Sequence, residues 1–209
     1  MKKSLFILFF GILISSCSSS KGRTQKKKYF NENNVKISKS KFRKIRATNR
    51  LLDIPGDSAH HRKLTLREKR GKITNRPILE LLLENEINRE IDSTKPIVII
   101  FYPGKDPCNS SGSASKEQRK YWFDVLEDGI YQLVKTKPIY IYREKEGLEK
   151  YHGVLTWHKD PNKTIERLFF EHHYPCSSFV VISKDGDYIS FFGEFGKKYL
   201  WGAIDYITK

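Results

Sequence analysis

The chain has 209 residues, 38% hydrophobic and 13% aromatic, which is enough apolar surface for one real core and excludes a chain disordered throughout. Its formal net charge of +15 is concentrated in one region. Residues 21–76 hold 19 Lys and Arg against 4 Asp and Glu, whereas residues 77–209 hold 18 against 20.

At the amino end, Lys2 and Lys3 precede the apolar run LFILFFGILI, which is short for a transmembrane helix and reads as a secretory signal. Ile14-Ser15-Ser16-Cys17 follows, and this segment resembles the bacterial lipobox. The resemblance implies a signal peptide over residues 1–16, cleavage before Cys17, diacylation of its sulfur and acylation of the new amino group. More than one acyl chain gives stable anchoring, at about 0.8 kcal/mol per buried methylene. Ser18 after the cysteine implies, by the same resemblance, the outer membrane of a double-membrane envelope.

Residues 17–76 then read as the lipidated cysteine and a basic, largely disordered tether. Runs such as SSSKGRTQKKK and NENNVKISKSKFRKIRATNR hold few large apolar residues and no sustained period. Export removes the usual nucleic-acid partner, so none is expected; anionic lipid headgroups are the nearer target, at about 1 kcal/mol per Lys or Arg. His60 and His61 fall in this segment and read as solvated.

The structured domain is expected over residues 77–209. Pro77 opens a helix through ILELLLENEINREI, and Ile97 to Tyr102, bounded by prolines, reads as a central strand covered on both faces. Ser115 to Gln118 has capping-box form, and Trp122, Val125, Leu126, Ile130, Leu133 and Val134 continue an amphipathic helix. TKPIYIY at 136–142 echoes TKPIVII at 94–100, so a parallel strand-helix-strand unit is expected. Residues 143–160 are charged and irregular, after which Asn162 is the expected cap of a helix through KTIERLFFEH. The chain turns at Tyr174-Pro175-Cys176. Strands SSFVVIS and DYISFF flank an Asp185-Gly186 turn, and a last helix places Leu200, Ala203, Ile204 and Ile207 on one face. Trp122, Trp157 and Trp201 read as core or rim.

This α-β-α-β-α-β-β-α order, with PCSSFVVISKDG as its most similar piece, resembles the thioredoxin fold: α/β, a central mixed sheet with flanking helices. The resemblance implies a cis Tyr174–Pro175 bond beside the loop after the first core strand. There the family's Cys-x-x-Cys frame reads Cys108-Asn109-Ser110-Ser111, without a second cysteine, and so is similar to the monothiol pattern of some glutaredoxins. The helix after it is expected to start at Ser115, too late for its dipole to reach Cys108. The same geometry implies that Cys176 lies near Cys108, either as a disulfide partner or, with His172 and His173, as part of a zinc or copper ligand set. No cofactor is assigned. Two functions stand: thiol–disulfide redox through Cys108 and Cys176 with Pro175 at the site, or a non-catalytic module binding another envelope protein.

Overall fold

The computed structural model describes residues 25–209. The signal peptide and Cys17 lie outside the described residues.

Among the described residues, ten strands and six α-helices follow in order: β1 (Lys28–Phe30), β2 (Lys36–Ile37), α1 (Lys39–Ala47), β3 (Leu51–Pro55), β4 (His61–Leu66), β5 (Glu68–Lys72), α2 (Arg76–Ile87), β6 (Ile97–Tyr102), α3 (Pro107–Ser110), α4 (Lys116–Val134), β7 (Ile139–Tyr142), β8 (His158–Lys159), α5 (Thr164–Phe169), β9 (Ser178–Ile182), β10 (Asp187–Phe191) and α6 (Lys197–Thr208). A six-stranded sheet runs β5-β10-β9-β6-β7-β8. β6, β7 and β8 are parallel, while β9 is antiparallel to β6, and β10 to both β9 and β5. The β10-β9-β6-β7 core, with α4 linking β6 to β7 and α6 closing the chain, is the thioredoxin-like arrangement.

Alternation along the strands divides the core in two. Ile97, Ile99 and Phe101 face one side, with Leu79 and Leu83 of α2 and Ile165 and Phe169 of α5. Val98 and Ile100 face the other, with Leu126 and Ile130 of α4 and Leu200 and Ile204 of α6. All six residues of β6 are buried, and each large aliphatic side chain so placed contributes about 1.5–3 kcal/mol. Ser115 and Gln118 form the expected reciprocal cap of α4.

Three expectations are corrected. From β1 onward the basic segment is ordered, where a largely disordered tether was expected. Its strands form a four-stranded sheet, β2-β1-β4-β3, and β5 joins the main sheet as its edge. The apolar residues are few but alternate: Leu52 and Ile54 of β3 enter the main core, while Leu64 lies on the opposite face, which α1 covers with Phe42. His61, expected to be solvated, sits in β4 with its ring against Phe30. Lys28 and Lys36 of β1 and β2 are exposed while Arg62 and Lys63 of β4 are half-buried, so composition concealed a half-buried sheet. β5 has no buried residue and is held by its ladder to β10, its charges guarding an open edge. Second, the residue before α5 is Lys163, at a left-handed φ of 56°, and the carboxylate that accepts the N–H groups of Ile165 (2.9 Å) and Glu166 (2.8 Å) comes from Asp160 upstream; Asn162 instead turns through φ 52°. Third, no cis peptide bond occurs among the described residues, so Tyr174–Pro175 is trans. The reversal is made one residue later, where Cys176 adopts a left-handed φ of 68°.

Among the described residues no helix is long and apolar enough to cross a membrane.

Candidate functional site

The site forms where β6 ends. After Tyr102 the chain bends through Gly104, whose φ of +119° suits glycine, and where a Cβ would stand 2.9 Å from Glu144. Asp106 then starts α3, earlier than the Ser115 boundary expected for the next helix. Its carboxylate accepts the Asn109 N–H (2.8 Å), while the Asn109 side-chain oxygen accepts the Asp106 N–H (3.0 Å). Pro107 occupies the first helical position, whose N–H would have no partner in any case. Cys108 therefore sits in the first turn of a rigid, reciprocally capped helix. Asn109 also donates to the carbonyls of Gly104 (2.8 Å) and Cys176 (3.4 Å), and Lys150 donates to the Asn109 carbonyl.

The second segment arrives from α5. Tyr174 is buried, its ring stacked 4.3 Å from Phe192. Burial pushes its phenol up to about 12, and burial likewise raises Tyr102 to about 12. The Tyr102 hydroxyl donates to the Glu146 carbonyl (2.9 Å). Pro175 leads into Cys176, and the Cys176 N–H donates to Asp106 Oδ2 (2.9 Å). Cys108 and Cys176, 68 residues apart, are joined by a disulfide with a Cα separation of 5.1 Å, inside the range such bonds occupy. Both cysteines are half-buried.

Asp106 thus ties the two cysteine segments together, with its side chain only 8% exposed. A third contact reaches its Oδ2 from His173 Nε2 (3.2 Å), and His173 Nδ1 lies 3.2 Å from Arg143 Nη2. A guanidinium can only donate, so Nδ1 accepts and the imidazole proton resides on Nε2, donating to Asp106. Arg143 is itself paired with Glu166 (3.2 Å).

Of the residues singled out in the sequence, Cys108 and Cys176 come together and Pro175 borders them. Ser111, at the second-cysteine position of the family frame, lies just past α3 with its hydroxyl 3.4 Å from the Cys108 carbonyl. The histidine–cysteine ligand set does not assemble. His172 packs against Tyr174, and His173 is engaged by Asp106 and Arg143. Among the described residues, the group of ligand atoms that converges is Cys108, Cys176 and Glu194. Asp106 was missed although Asp106-Pro107-Cys108-Asn109 carries a local signal: an acidic cap, a proline at the first helical position and an amide at the third.

Strand order, connectivity and a disulfide at the carboxyl end of the central strand define a thioredoxin-like domain with a two-cysteine site. No family model matches the chain. No curated protein matches it either. Matching solved structures include a secreted Mycobacterium tuberculosis disulfide oxidoreductase homologous to E. coli DsbE. It is 16% identical, with a TM-score of 0.33, over 54% of this chain and 82% of that one. Similarity at that level carries no functional argument, so function is read from the site itself.

Proposed function

We propose that this chain is an exported, lipid-anchored protein of the bacterial envelope whose thioredoxin-like domain exchanges electrons with protein disulfides through Cys108 and Cys176. The observation that carries the redox part is the pairing itself: two cysteines from distant segments meet as a half-buried disulfide at the end of the central strand, the edge where α/β sheets place their sites.

In the reduced state, the Cys108 thiolate attacks a sulfur of the partner's disulfide. A mixed disulfide forms, and the partner's other sulfur leaves as a thiolate. Cys176 then attacks Cys108 Sγ, expelling the partner's remaining thiolate and closing the Cys108–Cys176 bond. Two electrons have passed to the partner, and the same steps run in reverse. Asp106 holds the Cys176 N–H, so the resolving sulfur stays beside Cys108 throughout. Pro175 shapes the turn that presents it.

The anchor rests on the lipobox-like segment ending at Cys17, with Ser18 favouring the outer membrane. Attraction to anionic headgroups is supported by α1, which has no acidic residue and exposes Lys39, Lys41, Arg43 and Lys44. The competing account, a binding module with a structural staple, is favoured by the missing Cys-x-x-Cys frame.

The test of exchange uses purified protein. Cys176→Ser treated with a small-molecule disulfide should accumulate a stable mixed disulfide on Cys108, whereas wild type should resolve it. No adduct on Cys108 would favour the staple. For the anchor, Cys17→Ala should abolish lipid labelling and release the protein from the membrane fraction; unchanged labelling would refute it.

A further inference from the structure

We propose that the reduced site binds a borderline-soft divalent cation of the zinc class through Cys108 Sγ, Cys176 Sγ and the Glu194 carboxylate. This rests on the proposed reducibility of the pair. The three ligand atoms lie within 4.8 Å of one another and come from three separate segments. With Zn–S bonds of about 2.3 Å, a tetrahedral site sets its sulfurs roughly 3.8 Å apart. Once the S–S bond is broken, that opening is within the reach of side-chain rotation.

Each ligand has its own support. Cys108 is fixed by the cap of α3 and Cys176 by its N–H bond to Asp106. The Glu194 loop is held by Arg67, which donates to the Phe192 carbonyl (3.2 Å) and the Glu194 carbonyl. Arg67 also donates to the Asn49 carbonyl (3.2 Å), and its guanidinium lies 5.0 Å from the centre of the Phe191 ring. Gly193, at φ +76°, seats the loop against the Cys176 turn: a Cβ there would stand 3.2 Å from the Pro175 carbonyl. The Gly193 N–H is anchored on Ser178 Oγ (3.0 Å). The ordered basic segment therefore buttresses the third ligand.

Two thiolates with one carboxylate suit zinc: they are too soft for magnesium or calcium, and the oxygen disfavours a purely thiophilic ion such as Cu(I). Three protein ligands leave a fourth position for water or a further donor. Zinc is held by thiolates, so binding releases whatever protons the two thiols still carry. The cation binds the dithiol and not the disulfide. Zinc should therefore shift the pair toward its reduced form, and oxidation should expel the metal.

The experiment uses the full chain with Cys17→Ala, so that only Cys108 and Cys176 supply thiols. Folded protein is reduced, its thiols are counted, and Zn²⁺ is titrated against a chromophoric chelator. Reduced protein should bind one Zn²⁺ per chain, and oxidised protein none. Bound zinc should slow alkylation of both cysteines. Losing even an outer-shell partner costs about 10–100-fold in affinity, so Glu194→Gln should weaken binding by at least about tenfold, while Asp128→Asn, an equal charge change on α4, should not. Two free thiols without stoichiometric zinc binding would overturn the metal site alone. Wild-type affinity in Glu194→Gln would overturn the three-ligand assignment. A pair that resists reduction in the folded protein would overturn both this inference and the exchange function.

Discussion

Reducing the Cys108–Cys176 bond should destabilise the domain by about 4 kcal/mol. The bond closes a loop across a sequence separation of 68. Cross-linking removes loop-closure entropy from the unfolded chain, by about 3 kcal/mol for a 15-residue loop and about 4.7 for a 100-residue one. A loop of this length falls between them. The folded form loses little on reduction, because Asp106 still accepts the N–H groups of Asn109 and Cys176 and holds both segments in place. The assay is equilibrium urea unfolding of the Cys17→Ala protein with and without reductant. A shift of about 4 kcal/mol corresponds to roughly 8–16 °C in Tm for a chain of this size. Cys108→Ser with Cys176→Ser should match the reduced curve and be insensitive to reductant. Superimposable wild-type curves would refute the reasoning, since a bond that constrains the unfolded chain cannot be silent.

Asp106→Ala leaves two backbone N–H groups without their acceptor and removes the cap of α3, so it should cost about 2–4 kcal/mol in the same assay; wild-type stability would deny Asp106 its bridging role. Leu64→Ala, at a fully buried position in the basic segment, should cost about 2–5 kcal/mol, whereas a solvated tether would show no change. The alkaline limb follows from tyrosines whose phenols burial raises on folding, among them Tyr102 and Tyr174, which rise from 10.0 to about 12, together with Tyr140 and Tyr151. Between those values the unfolded chain has lost protons that the folded one keeps, so their contribution is complete below pH 10 and falls as pH rises toward 12. Urea unfolding across that window should show the decline, and Tyr102→Phe with Tyr174→Phe should make it shallower, Tyr140 and Tyr151 still contributing; an unchanged slope would deny these two tyrosines their share.

How legible each element was depended on how local its cause is. β6 could be read because all six of its residues are apolar and buried, and the β9–β10 hairpin because Asp185-Gly186 separates β-rich runs. The cap of α4 is written in Ser115 and Gln118 alone. The amino-terminal sheet escaped notice because its apolar residues come in strands too short to show a period, LLDIP and HRKLTL, inside a strongly basic segment. They gain their burial from partners distant in sequence, and β5 has no apolar residue at all. At the site, Cys108 and Cys176 were visible as residue types, and Pro175 as a turn former. Glu194 was not, because its place beside the sulfurs is set by Arg67, 127 residues earlier. The trans bond at Pro175 shows the same limit: a left-handed Cys176 makes the turn in its place.

Exchange chemistry is tested most directly by equilibrating the folded Cys17→Ala protein in dithiol redox buffers of graded potential, quenching with acid and counting alkylated cysteines by mass. The account predicts that Cys108 and Cys176 interconvert reversibly between disulfide and dithiol as one two-electron couple, with the folded spectrum retained at every potential. A bond that opens only when the protein unfolds would contradict it.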